Sequence, residues 1–207
     1  MPIFTDPVLF PSFHELPSSS AAATPSTAPA AGQFLLAQIK EDMTITKPTV
    51  IVRDRSGADF AVTFEDGDHR GLGQGQGGIR FRKGHTLVVP RATRTDRGEG
   101  KQAIVRVPPG EGANVRILPA GLDQVFELGA VLDGIEGVGR GRKCAACGKE
   151  EEEEKEGEEG EGKNSLMRCT GCGVVAYCSK ACQVRGWGGL GHKANCKVIR
   201  SIKEIWP

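Results

Sequence analysis

The stretch Cys169–Cys196 reads CTGCGVVAYCSKACQVRGWGGLGHKANC. It holds three pairs of metal-type donors, and a fourth pair, CAAC, lies upstream at 144–147. The four pairs are Cys144-x2-Cys147, Cys169-x2-Cys172, Cys178-x3-Cys182 and His192-x3-Cys196. Eight donors in such pairs complete two tetrahedral zinc sites and leave no cysteine over.

Each spacing has a mechanical reason. A C-x2-C turn brings two thiolates onto one ion, and a spacing of four places both ligands on one face of a helix. Ser179 is positioned to cap the helix that carries Cys182. A helical extension over 197–207 is predicted from its apolar face, which consists of Val198, Ile199, Ile202 and Ile205. Redox cysteines or a disulfide cluster are the alternatives, but all seven cysteines lie after residue 143, which disfavours a disulfide framework.

The residues between the donors carry a family resemblance. LMRC at 166–169, Tyr177-Cys178, Cys182-Gln183, Trp187 and His192-Lys193-x2-Cys196 together resemble a MYND-type zinc finger over 144–196. The resemblance implies a small α-helical finger stabilised by two structural Zn²⁺ ions with interleaved ligands. One site would use Cys144, Cys147, Cys178 and Cys182, and the other Cys169, Cys172, His192 and Cys196. Sequential pairing of the first four and the last four donors is the chemically open alternative.

Two features depart from that family. The loop between the first two cysteine pairs is long and carries an acidic insertion at 150–161, with nine Glu against one Lys. Because loop-closure entropy grows only logarithmically with length, a solvated loop of this size costs little. Four residues, GGLG, separate Trp187 from His192 where two or three are usual, and we expect the extra glycine to bulge without moving the ligands.

The resemblance also implies a function for the finger. MYND fingers bind short proline-containing peptides, often of the form P-x-L-x-P, and the corresponding groove positions here are Thr170, Gln183 and Trp187. The alternative is that Trp187 only packs the module. The segment Pro7–Pro11, PVLFP, is itself P-x-L-x-P, so we also consider self-interaction of this segment with the groove.

The N-terminal part has a different character. Pro, Ser, Ala and Thr dominate residues 1–32, a composition that predicts a disordered tail. After it, short apolar stretches with a period of two predict strands at 34–39, 49–52, 58–64, 79–90, 103–107 and 115–120, with 125–131 closing the domain. We therefore predict a mainly β small barrel over 34–131, which resembles an oligonucleotide/oligosaccharide-binding (OB) barrel, followed by a Gly-rich linker at 133–143.

One hairpin within this region has a defined register. The turn residues 54–57, Asp-Arg-Ser-Gly, join the strands of TVIVRDRSGADFAVTF at 49–64. Alternation then places Phe60, Val62 and Phe64 on the buried face.

Nucleic-acid binding by the barrel is the runner-up function. The basic residues that suggest it are Arg80, Arg82, Lys83, Arg91, Arg94, Arg97, Lys101 and Arg106. Stacking platforms are the weak point, since the period-two pattern assigns most aromatic side chains to the core. The available ones are Phe34, Phe60, Phe64, Phe81 and Phe126.

The sequence argues against catalysis and against membrane insertion. Zinc sites closed by four protein ligands hold no reactive water, and the G-x-G-x2-G string at 73–78 leads into a strand-like segment, not a helix. No apolar run approaches the roughly 20 residues that span a bilayer. The first basic residue is Lys40, so neither a signal peptide nor an Arg-rich transit peptide fits, and we expect an intracellular protein, nuclear or cytoplasmic.

Overall fold

Seven short strands form one sheet in the computed structural model, which describes residues 4–19, 32–67, 72, 80–136, 143–151 and 166–206. Six of the strands lie where alternation of apolar and polar residues predicts them, although several are shorter. Their bounds are β1 (Phe34–Asp42), β2 (Thr49–Asp54), β3 (Asp59–Phe64), β4 (Thr86–Pro90), β5 (Arg94–Thr95), β6 (Ile104–Val107) and β7 (Arg116–Leu118). The prediction missed β5, because two polar residues carry no alternation.

The β2–β3 hairpin forms as predicted and lies in the centre of the core. Val52 is opposite Phe60 and Val50 is opposite Val62 in the antiparallel register. Phe60, Val62 and Phe64 are buried and belong to one apolar cluster. The alternation of apolar and polar residues therefore determines which face of this hairpin is buried.

The Asp54 side chain organises the hairpin turn. Its Oδ1 accepts hydrogen bonds from the N–H groups of Ser56 (2.9 Å) and Ala58 (3.2 Å) and from the Ser56 hydroxyl (2.7 Å). Its Oδ2 accepts the N–H of Phe13 at 2.5 Å. Four donors thus compensate the burial of this carboxylate, which is only 3% exposed.

Residues 4–19 pack on this sheet, so the prediction of a disordered tail over 1–32 is wrong for them. The ring of Phe13 stacks on that of Phe60 with centroids 4.1 Å apart. The buried apolar side chains of the segment are Phe4, Phe10, Phe13 and Leu16. They bury enough apolar area to offset the entropy of ordering, whereas the Ser/Ala/Thr-rich residues 20–31 lie outside the described residues.

The same packing engages the Pro7–Pro11 segment. The N–H of Phe34 donates to the carbonyl of Leu9 at 2.7 Å, and the Phe10 and Phe34 rings stack with centroids 6.2 Å apart. Phe10 and Pro11 are buried. Binding of Pro7–Pro11 in the finger's groove, in cis or between chains, would therefore require the segment to give up these contacts with the sheet.

The sheet is open, so the predicted OB-like barrel is not confirmed. The strand order is β5-β6-β3-β2-β1-β4-β7, with β3 and β6 parallel and the other neighbours antiparallel. Within the described ranges β5 and β7 do not pair with each other. Residues 17–19 instead cover the outer edge of β5, where Arg94 N–H donates to Pro17 and Ser19 N–H donates to Arg94, both at 2.8 Å.

A helix replaces the last predicted strand and the start of the predicted linker. Helix α1 runs from Leu122 to Glu136, so neither the closing strand at 125–131 nor a linker beginning at 133 is present. Its buried side chains are Leu122, Val125, Leu128 and Leu132. Their spacings of three and four match a helix, not a strand. Residues 137–142 lie outside the described residues.

The chain divides into two compact units, Phe4–Phe126 and Glu127 onward. Besides the C-terminal part of α1, the described residues of the second unit form a two-stranded sheet and three helical segments. Their bounds are β8 (Met167–Arg168), β9 (Ala176–Tyr177), α2 (Lys180–Val184), a π-helical turn (Arg185–Gly189) and α3 (His192–Ile205). In the described part of the chain, no helix combines the length and apolar character needed to cross a bilayer.

Candidate metal centre

Two matching turns present the first four cysteines. In each, the glycine after the C-x2-C pair donates its N–H to the carbonyl of the first cysteine: Gly148 to Cys144 and Gly173 to Cys169, both at 2.8 Å. The second turn is the loop of the β8–β9 hairpin. A hydrogen bond of 2.9 Å from Ala145 N–H to the Ala176 carbonyl joins the first turn to β9. Backbone hydrogen bonds alone thus position both cysteine pairs.

Helices present the other donors. Ser179 is the N-cap of α2, and its hydroxyl accepts the N–H of Cys182 at 3.2 Å, as the sequence predicts. His192 begins α3 and Cys196 follows one turn later on the same face. The apolar face that anchors α3 consists of the buried Val198, Ile199 and Ile202 and the half-buried Ile205.

The eight donors gather into two clusters in the interleaved arrangement. Within each cluster all donor atoms lie within 4.8 Å of one another. The first cluster is Cys144, Cys147, Cys178 and Cys182, and the second is Cys169, Cys172, His192 and Cys196. The sequential alternative does not match this grouping.

The distances within the clusters fit tetrahedral zinc. A Zn–S bond of about 2.3 Å implies a sulfur–sulfur edge of about 3.8 Å, whereas a disulfide is about 2.05 Å long. The Sγ of Cys178 lies 3.5 Å from that of Cys147 and 3.6 Å from that of Cys182. In the second cluster the Cys169 and Cys196 sulfurs are 3.7 Å apart. His192 contributes Nε2, which lies 3.3 Å from the Cys169 sulfur.

Backbone N–H groups lower the pKa of one thiol in each cluster. Burial opposes ionisation of the Cys144 thiol, but hydrogen bonds from the backbone of Cys178, Ala146 and Cys147 bring its pKa down to about 6. Backbone groups of Cys172 and Gly171 outweigh burial in the same way and lower the pKa of Cys169. Burial alone lowers the pKa of His192, which keeps the imidazole neutral and able to bind metal.

One thiol in each cluster resists ionisation without a cation. Hydrogen bonds with Cys147, Cys182 and Cys144 raise the pKa of Cys178 to about 12. Burial, together with the neighbouring sulfurs, raises the pKa of Cys196 to about 12. Each cluster therefore stabilises a first thiolate through N–H donors but needs a divalent cation to hold the whole set as thiolates.

Gly171 is a residue of the site that the sequence prediction missed. A Cβ built at this position would lie 2.8 Å from the Cys196 sulfur and 3.6 Å from the Cys169 sulfur. Any side chain here would push Cys196 away from its cluster. The signal was the glycine inside the second C-x2-C pair, since the first pair tolerates Ala145 and Ala146.

A family model described as MYND finger matches residues 144–196, from the first donor to the last. The C-terminal unit contains a MYND finger. The two clusters could hold two zinc ions, as the finger requires, and each is complete with four protein ligands.

Three relatives are similar to parts of the chain. "Histone-lysine N-methyltransferase SMYD3" of Homo sapiens is 46% identical over 46 residues, which is 22% of this chain and 10% of that protein. The Mus musculus protein of the same name is 27% identical over 121 residues, 58% of this chain and 22% of that protein. "F-box protein At1g67340" of Arabidopsis thaliana is 39% identical over 60 residues, 29% of this chain and 13% of that protein. The chain thus spans between a tenth and about a fifth of these relatives.

The predicted peptide-binding residues lie on the surface of the MYND finger. Thr170 and Gln183 are exposed. Trp187 is 42% exposed, and its ring centroid is 5.4 Å from that of the donor His192. The same stretch exposes Val184 and Leu190, which the sequence prediction did not include. The sequence feature that could have identified them is their position three residues before and three residues after the tryptophan.

The basic residues of the sheet unit fall into two groups: some have a partner among the described residues, and others are exposed without an ion pair. Arg91 pairs with Glu111 (2.9 Å), and Arg106 lies 3.4 Å from Glu65. Arg94 lies 3.3 Å from Asp96, and Arg97 donates to the carbonyl of Gln102 at 2.9 Å. Of the eight predicted basic residues, the exposed ones with no ion pair among the described residues are Arg80, Arg82, Lys83, Arg97 and Lys101.

The phenylalanines described in the sheet unit do not form a stacking surface. Phe60 and Phe64 are buried, Phe81 packs against the core with its centroid 5.4 Å from that of Phe64, and Phe34 and Phe126 are half-buried. Nothing in the described residues therefore favours nucleic-acid binding over a function of the finger.

Two predicted segments fall largely outside the described residues. The G-x-G-x2-G loop at 73–78 does so entirely, and the acidic insertion at 150–161 is described only at Glu150 and Glu151. Glu150 pairs with Lys143 at 2.8 Å. A carboxylate oxygen of Glu151, at the start of the insertion, accepts the N–H of Leu166 at 3.2 Å.

Proposed function

We propose that the MYND finger is a non-catalytic module that captures proline-containing peptides and that the chain acts as an adaptor or regulator. The observation that carries this proposal is Trp187, a large aromatic side chain that stays 42% exposed on an element fixed by the donor His192. An exposed indole on a rigid element stacks on proline rings at little cost in side-chain entropy.

The other two residues of the proposed peptide site carry polar side chains. The exposed Gln183 lies four residues before Trp187, so its amide can bond to peptide carbonyls while the indole contacts proline. The exposed hydroxyl of Thr170 offers a further donor and acceptor. Because metal ligands hold these segments, the surface is ordered before the peptide arrives.

The chemistry of the clusters supports the non-catalytic part of the proposal. Each cluster supplies four protein donors, which fills the tetrahedral coordination of zinc and leaves no position for a reacting water. Thiolate ligands persist where the surroundings are reducing, so we place the protein in the nucleus or cytoplasm.

The test is a peptide array with the full chain. Peptides with a P-x-L-x-P core and their Pro→Ala counterparts are titrated against the wild type, Gln183→Ala and Trp187→Ala. We expect a loss of about tenfold or more in affinity for Trp187→Ala and a smaller loss for Gln183→Ala. Arg200→Ala is the matched control, because Arg200 is exposed on α3 and pairs only with Glu204 among the described residues.

Zinc content is measured for every variant, because the Trp187 ring contacts His192. A weak-binding Trp187→Ala protein that keeps two equivalents of zinc supports the proposal. Wild-type binding that does not distinguish proline peptides from their alanine counterparts rejects it.

A further inference from the structure

The helix that carries Trp187 contains an extra backbone residue in one turn. Leu190 N–H donates to the carbonyl of Arg185 at 3.1 Å, a bond between residues five apart, and Arg185–Gly189 forms a π-helical turn. Such a turn holds one residue more than an α-helical turn and is frequent at functional sites. Two of the four residues between Trp187 and His192, Gly188 and Gly189, lie in this turn.

The π-helical turn is fixed at both ends. A Cβ built on Gly186 would lie 2.3 Å from the ring of Tyr177, which is itself only 1% exposed. The backbone of Gly186 therefore rests directly on this ring. At the other end, His192 is held by its cluster. Between them, Gly188 and Gly189 face open space, since a Cβ on either meets nothing within 4 Å.

The fixed turn leaves an exposed apolar patch, which we define as Val184, Trp187 and Leu190. These side chains are 66%, 42% and 51% exposed. Soluble proteins rarely expose several large apolar side chains in one short segment without a partner for them. Val184 and Leu190 therefore offer apolar contact area in addition to that of Trp187.

The charge around the patch is positive. Lys180, Arg185 and Lys193 lie on or beside the same helical segments, and all three are exposed. No salt bridge neutralises any of them among the described residues. A partner with acidic residues near its apolar ones would complement this surface.

We infer that the π-helical turn makes Leu190 a further contact residue, so that the finger selects an acidic peptide with an additional apolar residue beside its proline core. This inference rests on the proposed function. Gly186 acts as a positioning residue through Tyr177, and Leu190 contacts the peptide.

Four peptides test the inference against the full chain. Each contains the P-x-L-x-P core, with either leucine or serine beside it and a flank made either of glutamates or of lysines. We expect the wild type to prefer leucine over serine by about tenfold and the acidic flank over the basic one by about tenfold at low salt, with the charge preference falling as salt is added. No preference for either feature, with the core still bound, overturns the inference and leaves the proposed function intact.

Deletion of Gly188 converts the turn to α-helical length, and Gly188→Ala is the matched control that keeps the residue count. We expect the deletion to abolish the leucine preference and Gly188→Ala to retain it, both with two equivalents of zinc. If the deletion loses zinc, Leu190→Ser decides, because Leu190 is exposed and is not a donor. A leucine preference that survives Leu190→Ser overturns the inference, and failure of the wild type to bind any core peptide instead rejects the proposed function.

Discussion

The sheet unit and the finger are stabilised by different interactions. In the sheet unit the described buried side chains are almost all apolar, and many of them belong to one cluster around Phe60, Val62 and Phe64. In the finger, five of the eight metal donors are themselves buried: Cys144, Cys169, Cys172, His192 and Cys196. Apolar area stabilises the first unit, and coordination bonds stabilise the second. The two units should therefore respond to different reagents.

Chelation is the largest expected effect and separates the units most clearly. A structural zinc site contributes about 10–16 kcal/mol in zinc-finger peptides. We expect a strong chelator to unfold the finger and to leave the sheet unit folded, so that NMR amide dispersion is lost for 166–206 and kept for 34–118. Dispersion of the finger resonances in excess chelator would contradict the comparison.

Phe13→Ala should act on the sheet unit alone. Phe13 is buried and stacks on Phe60, so its truncation should lower the free energy of unfolding of that unit by about 3–5 kcal/mol. Denaturant titration measures the loss, and zinc content should stay at two equivalents. Val8→Ala is the control, since Val8 is 65% exposed and should change little. An equal effect of both substitutions would show that residues 4–19 do not stabilise the sheet.

Proton release distinguishes the finger from an apolar core. With pKa values of about 12, Cys178 and Cys196 are protonated at pH 7 and must lose their protons when zinc binds. Protons compete with the metal, so affinity falls as pH falls, by at least about tenfold per pH unit at each site. At the first site the slope should steepen below about pH 6, where Cys144 also gains a proton. Competition with a chromophoric chelator across the range from mildly acidic to mildly basic pH measures both slopes, and a pH-independent affinity would be inconsistent with thiolate ligation.

Among these predictions, Ser179→Ala should have the smallest effect. The Ser179 hydroxyl caps α2 through the N–H of Cys182, and loss of such a cap costs about 1 kcal/mol. We expect zinc affinity at the first site to fall about fivefold and affinity at the second site to stay unchanged. Ser179→Asp should restore the cap and the affinity. Equal weakening at both sites would mean that the cap supports the finger as a whole.

What the sequence predicts depends on how local the determining interaction is. The donor pairs of the finger and the β2–β3 hairpin were predictable because each rests on spacings of two to four residues. The grouping of the donors was supplied by family resemblance, since spacing alone allows two pairings. Closure of the sheet was not predictable, because it depends on whether strands distant in sequence, β5 and β7, meet.

Two errors arose where composition or a short sequence pattern was a poor guide to packing. Residues 1–32 have a disorder-like average, yet Phe4, Phe10, Phe13 and Leu16 are spaced so that a short segment covers apolar area on the sheet. In α1 the apolar residues fit a helix, but the stretch VFELGAV at 125–131 also satisfies a strand over its short length. Packing, not propensity, decided both cases.

The crossed arrangement of the two donor sets has a consequence for how the finger is made. On the ribosome, the first set is complete once Cys182 has emerged, but the second waits for Cys196 at the far end of the module. Because Cys169 and Cys172 lie in the sequence between the two halves of the first set, their own set is the last to become complete. The order of the donors along the chain thus allows the first zinc site to form before the second during synthesis.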